Sequence, residues 1–409
     1  MMAPRAATAR FPFIAATASL VGAVLIASAA PSRVGPSGIG AAAARAVSMS
    51  APRQPGGEAP PEPVDPAAEP HDPPKPDNET RLPNSAQNNA AEGEITPELN
   101  EAVSRGLSSL ARRQLEDGSF GGDRFGRSVA ITALACLAYM ADGNLPGRGP
   151  YGDLVARGLE HILANCAETG LVATDATTGP MYGHGFATLF LGEVYGMTAG
   201  GGDTALNARV HTALVKAVRL IQASQNAQGG WRYNPIPYDA DVSVTICQVM
   251  ALRSARNAGL DVSKDTIDKA VEYIRRCQNP DGGFRYQMDA GDSLWPRSAA
   301  GVSSLFYAGI YADAAIDRGL SYISDSAFPG RGDSSRAHYF YGHYYAVQAM
   351  YLAGGSHWAR WWPAIRKELL DTQRDDGTWN DQSIGETYGT SMALIILQMP
   401  KRYLPIFQK

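Results

Sequence analysis

One seven-residue frame recurs along this chain: Gln, three residues, Gly, one residue, aromatic. It appears as QLEDGSF (114–120), QNAQGGW (225–231), QNPDGGF (278–284) and QRDDGTW (373–379). Weaker copies, NCAETGL (165–171) and SAFPGRG (326–332), fall in the gaps. The fifth frame positions, Gly118, Thr169, Gly229, Gly282, Gly330 and Gly377, then follow one another at steps of roughly 50 residues, a period that marks a repeat architecture. A unit of this size cannot bury its own apolar face, so copies must stack to make a continuous core.

The flanking sequence says what one unit is. Before the third good frame, Ile267, Ala270, Val271 and Ile274 recur at i, i+3, i+4 and i+7, one apolar stripe on a helix. Val103, Leu107 and Leu110 do the same before the first. The frame glycine supplies a left-handed residue at the helix end without a side-chain clash. After each frame comes a more apolar helix: SVAITALACLAYM, HGFATLFLGEVYG, DVSVTICQVMAL, RSAAGVSSLFYAG, HYYAVQAMYLAG and ETYGTSMALIILQM. Each unit is thus an outer amphipathic helix, a Gly-aromatic turn and an inner buried helix. Six pairs predict an all-α fold, an α6/α6 toroid closed into a barrel. An open helical solenoid is the alternative.

The Gln-x-x-x-Gly-x-Trp frame followed by an apolar helix resembles the QW repeats of squalene-hopene and oxidosqualene cyclases. It is similar too to the repeats of protein prenyltransferase β subunits and of prenyltransferase and squalene oxidase repeat proteins. The resemblance covers about residues 96–400 and implies the α/α toroid of that terpenoid cyclase and prenyltransferase superfamily. It does not carry a function with it, because the frame is scaffold and chemistry resides in sites grafted onto it.

Two segments precede the repeats. In residues 1–30, Arg5 and Arg10 lead into an apolar run, and Ala27-Ser28-Ala29 supplies small residues for cleavage, the layout of a signal peptide. Uncleaved, the run from Phe11 to Ala30 is about 20 residues, long enough to serve as a membrane anchor. Either reading puts the rest outside the cytoplasm, secreted, periplasmic or tethered. Residues 31–95 are Pro- and Ala-rich and read as a disordered linker. Asn78-Glu79-Thr80 matches a glycosylation acceptor. The net charge of −4 offers no basic surface for nucleic acid. Of four cysteines, Cys136 and Cys247 sit in apolar helical runs as buried thiols, while Cys166 and Cys277 could be free or bridged.

Chemistry is expected where the inner helices begin, at one mouth of the ring. With Thr132, Thr188, Thr245, Gly301, Val347 and Thr390 taken as equivalent, the residues four earlier are Ser128, His184, Asp241, Arg297, His343 and Glu386. Five of the six are ionisable. Helix capping accounts for Ser128, Asp241 and Glu386 equally well, but not for Arg297, which a helix N-terminus disfavours. Phe186 and Tyr344 belong to an aromatic set on the inner helices that suits either a cavity lining or core packing.

The resembled cyclases protonate an alkene or epoxide with the middle Asp of Asp-x-Asp-Asp-Thr. In DVSVT (241–245) the first Asp and the Thr match, but Ser243 and Val244 replace the two later carboxylates. The resembled prenyltransferases hold zinc with an Asp-x-Cys pair and a His. Here Ser243 replaces the thiolate and Arg297 stands in the next repeat, so neither metal nor cofactor is expected. The leading reading is a toroid that binds an apolar, isoprenoid or lipid-like ligand in a central cavity without the standard acid or zinc site. The alternative is an active cyclase- or prenyltransferase-like enzyme using Asp241 with Asp239 or His184. A third is a protein- or glycan-binding module. Arg331-Gly332-Asp333 is read as a coincidental adhesion tripeptide, and Asp239, Asp241 and Glu386 are carboxylates available for sugar chemistry. Oligomeric state is not legible in the sequence.

Overall fold

The computed structural model describes residues 93–122, 125–175, 179–198, 203–289, 291–330 and 337–408. The signal-like segment, most of the linker, the glycosylation-type triplet and the Arg-Gly-Asp triplet lie outside them. The described residues hold twelve α-helices, six outer and six inner, in strict alternation. The outer ones are α1 (Pro97–Ala111), α3 (Gly152–Ala164), α5 (Thr204–Ala223), α7 (Lys264–Arg276), α9 (Ala314–Ala327) and α11 (Gly355–Thr372). The inner ones are α2 (Val129–Met140), α4 (Met181–Thr198), α6 (Val242–Asn257), α8 (Trp295–Tyr307), α10 (Tyr339–Ala353) and α12 (Glu386–Leu397). Each inner helix packs on the next, and α12 packs on α2, so the inner layer closes. The α6/α6 toroid expected from the repeats is the fold observed. Among the described residues no helix is long and apolar enough to cross a membrane.

The repeat frame works as a staple between neighbouring units. Gln114 Nε2 donates to the carbonyl of Gly118 in its own turn at 3.0 Å and to Leu154 of the next outer helix at 2.8 Å. Gln225 repeats this with Gly229 and Thr266, and Gln278 with Gly282 and Ala315. Gln373 donates to Gly377 and reaches back to Ala102 in α1, which joins the last unit to the first. The glycine is required twice over. At Gly229 φ is +100°, and a Cβ would stand 2.1 Å from the Lys269 carbonyl oxygen of the adjoining helix. The backbone N–H of the frame's last residue is taken by an inner-helix side chain: Phe120 by Thr132, Trp231 by Thr245, Phe284 by Ser298 and Trp379 by Thr390.

That last bond corrects the register of the second frame and of the inner-helix positions taken as equivalent in the second and fourth units. In the second unit Val172 N–H donates to His184 Nδ1 at 3.1 Å, and Gly170 has φ +90°. The frame there is CAETGLV (166–172), one residue later than expected, with Cys166 in the Gln place. His184 and Ser298 are therefore the equivalents of Thr245. His184 and Arg297 do not occupy the position of Asp241. All four cysteines are free thiols, Cys166 half-buried and the rest buried.

The inner helices are buried on nearly every face, as their scarcity of charge requires. Phe186 on α4 and Tyr344 on α10, from opposite sides of the ring, meet edge to face with centroids 6.2 Å apart. Tyr341 of α10 donates to the Ser243 carbonyl of α6 at 3.2 Å, and Cys247 Sγ lies 3.4 Å from Tyr345 Oη. A central cavity enclosed by the inner helices was expected. Instead side chains from opposite inner helices meet across the axis at this level.

Candidate functional site at the N-terminal mouth

Asp241 is the N-cap of α6. Its Oδ1 accepts from Val244 N–H at 2.9 Å, the bond expected of Asp before an apolar helix. The residue is fully buried, and Oδ2 makes no hydrogen bond. Arg232, from the preceding frame turn, brings Nε to 3.8 Å of Oδ2 and pairs through Nη1 with Asp239. One guanidinium thus holds the two candidate carboxylates together. Its carbon lies 5.1 Å from the Tyr233 ring centroid and 5.7 Å from that of Tyr286, and the two phenol oxygens are in contact. Tyr182 on α4 packs its ring 6.1 Å from Tyr233, and its buried hydroxyl makes no hydrogen bond.

Burial dominates the electrostatics of this cluster. Loss of water raises the Asp241 carboxyl from 3.8 to about 7, with the Val244 amide, Arg232 and Tyr286 pulling the other way. The group therefore exchanges its proton near neutral pH, where protonated and ionised forms coexist. Burial likewise pushes the Tyr233 phenol up to about 12, and that of Tyr182 well above its usual value.

The other expected rim residues go elsewhere. Burial lowers His184 to about 4, so its imidazole is neutral. Nδ1 is used on the Val172 amide, and the ring is not in the Asp241 cluster. Ser128 caps α2 through Ile131 N–H at 3.4 Å. Arg297 gives Nε to the Phe284 carbonyl at 3.0 Å and Nη2 to that of Asp292. His343 stacks among Tyr339, Trp295 and Trp361, centroids 4.5, 4.9 and 5.8 Å away. Glu386, one-third exposed, pairs with Arg113 at 2.7 Å and Arg374 at 2.6 Å, which ties α12 to the end of α1. Glu386 is thus engaged away from the Asp239–Asp241 pair.

Arg232, Tyr233 and Tyr286 were missed. The signal was present, since Arg-Tyr follows the frame aromatic at both 231–233 and 284–286. Arg285, the counterpart of Arg232, turns instead to the Arg276 carbonyl. A separate open cleft of about 810 Å³ runs between the first two units, lined by Asp117, Arg127, Ser128, Glu160, His161 and Asp175 among others. Its polar groups are largely engaged. Asp117 takes the Ser119 amide and hydroxyl, with Arg127 Nε at 3.1 Å and His161 Nδ1 at 3.7 Å, and Glu160 pairs with Arg209.

The fold defines the class, a closed α/α toroid. No family model and no curated protein matches the chain. Solved structures do share its fold. A GH76A alpha-1,6-mannanase from Salegentibacter is 8% identical, with 75% of this chain and 99% of that one covered at a TM-score of 0.56. A type II terpene cyclase from Scytonema, in complex with geranylgeranyl dihydroxybenzoate, is 13% identical, with 76% and 98% covered at 0.52. A protein from Actinoplanes is 16% identical, with 75% and 99% covered at 0.51. At these identities the likeness is one of fold.

Proposed function

We propose that this toroid binds a neutral, largely apolar ligand of isoprenoid or lipid type at the mouth where its inner helices begin. The observation that carries the reading is Asp241, a fully buried carboxyl set among Tyr182, Tyr233 and Tyr286 and raised by burial to about 7. An aromatic wall with a few polar handles is what such a ligand needs. Export through the N-terminal segment belongs to the proposal, as does tethering if the segment stays uncleaved.

A second reading, catalysis, draws on the same group. A carboxylic acid poised near neutrality suits general acid chemistry at an oxygen better than protonation of an alkene, which demands a far stronger acid. Native mass spectrometry with lipid extraction of the purified chain tests binding. A co-purifying apolar ligand is expected, and its absence together with no stabilisation by any added isoprenoid would reject the proposal. Turnover of an isoprenoid substrate that is lost in Asp241→Asn would establish the second reading.

A further inference from the structure

We infer that residues 399–408, the segment that follows α12, form a displaceable plug in the second mouth of the ring, where they compete with an apolar ligand for one seat. This mouth lies where the inner helices end and shares no residue with the Asp241 cluster, so the inference goes beyond the reading above. Within the inner layer α12 packs on α2 and α10, which makes α6 the helix opposite it. The segment leaves α12 as two single 3-10 turns, Met399–Lys401 and Pro405–Phe407. The second turn packs on α6 and α4, so the chain crosses the whole mouth. Leu404, Ile406 and Phe407 are almost completely buried there, and they fill the mouth with apolar side chains.

The two ends of the segment are held very differently. At the rim, Gln398 Nε2 donates to the Ala138 carbonyl of α2 at 2.9 Å, and Lys401 pairs with Asp142. Arg402 then bends the chain with φ +56°, a left-handed value uncommon for a residue with a side chain. Beyond that bend, among the described residues, a single hydrogen bond ties residues 403–408 to an inner helix: Ile406 N–H donates to Glu193 Oε2 at 3.0 Å. The other bonds, Phe407 N–H to Leu404, Gln408 N–H to Pro405 and Gln408 Nε2 to Arg402, stay within the segment. An element with so few bonds to its surroundings opens well before the ring unfolds. Glu193 keeps the Ser254 hydroxyl on Oε1 at 2.6 Å, so α4 and α6 stay joined when the plug lifts. The rim attachments then act as the hinge.

Hydrogen exchange read by mass spectrometry on the full chain tests the lifting. The bonded, buried amides of Ile406 and Phe407 should exchange about 100-fold faster than those in the middle of α6. Exchange as slow as in α6 would mean that the segment opens only when the ring unfolds, and would overturn the inference. The seat is tested with Nile red, a neutral apolar dye, on the full chain and on a double variant, Ile406→Glu with Phe407→Glu. The variant should bind about one dye per chain, about tenfold more tightly than the unaltered chain, and a peptide of residues 402–409 should displace it. A variant with native helix content and no gain in dye binding rejects the plug, as does bound dye that the peptide leaves in place. If the variant does not fold, the exchange rates decide alone.

Discussion

Asp241→Asn isolates what the buried acid does to the stability of the ring. The amide keeps an oxygen for the Val244 N–H that the carboxyl now accepts at 2.9 Å, and Asn caps helices as well as Asp does. The start of α6 should therefore hold, and only the titrating proton is lost. The carboxyl moves from 3.8 to about 7 on folding. Below 3.8 it is neutral in both states and costs nothing. As pH rises from 3.8 towards 7 the unfolded chain releases the proton while the folded chain retains it, so stability falls. Above about 7 both states are ionised and the whole penalty stands. At 1.36 kcal/mol per pH unit, a gap of about three units amounts to ~4 kcal/mol.

Glu193 titrates over much the same range, so the informative quantity is the difference between the two proteins at each pH, in which Glu193 cancels. Urea unfolding followed by tryptophan fluorescence from pH 4 to 9 supplies it. The two proteins should nearly coincide at pH 4. The variant should be the more stable by several kcal/mol at pH 8, with the change centred between pH 4 and 7. A pH-independent difference, or a variant less stable at pH 8, would refute the claim that burial raises the Asp241 carboxyl.

Four further outcomes follow from the same geometry. Arg232→Met removes the cation beside Asp241 and should shift the upper end of that titration to higher pH, read from the same unfolding series. Glu193, raised from 4.5 to about 7 by burial, accepts from Ser254 Oγ at 2.6 Å and Ile406 N–H at 3.0 Å. Glu193→Gln should add about 3 kcal/mol above pH 7 and nothing below pH 4. Gly229→Ala should destabilise by several kcal/mol, whereas Gly259→Ala should cost only about 1 kcal/mol. Both glycines have positive φ, but a Cβ on Gly229 meets a backbone carbonyl and one on Gly259 meets open space. Thr245→Val strands the buried Trp231 amide and should cost about 1–3 kcal/mol by chemical denaturation.

What the chain determined by itself was local and periodic. The apolar stripe of α7, the all-round apolarity of the inner helices and the returning glycines are properties of nearest neighbours along the chain, so helices and layers could be read directly, whereas the packing of α12 on α2 decided between a closed ring and an open solenoid. Tertiary structure decided which residues play equivalent parts. The repeats are tied by an N–H donated to an inner-helix side chain, and Thr, Ser and His all accept it, so His184 replaces a threonine without any trace in the hydrophobic pattern. It also decided the site. Asp241 is raised to about 7 only because folding buries it, and Phe186 meets Tyr344 only because the ring brings opposite helices within reach. Desolvation and packing across an axis depend on distances in space, and a repeat period sets distances along the chain alone.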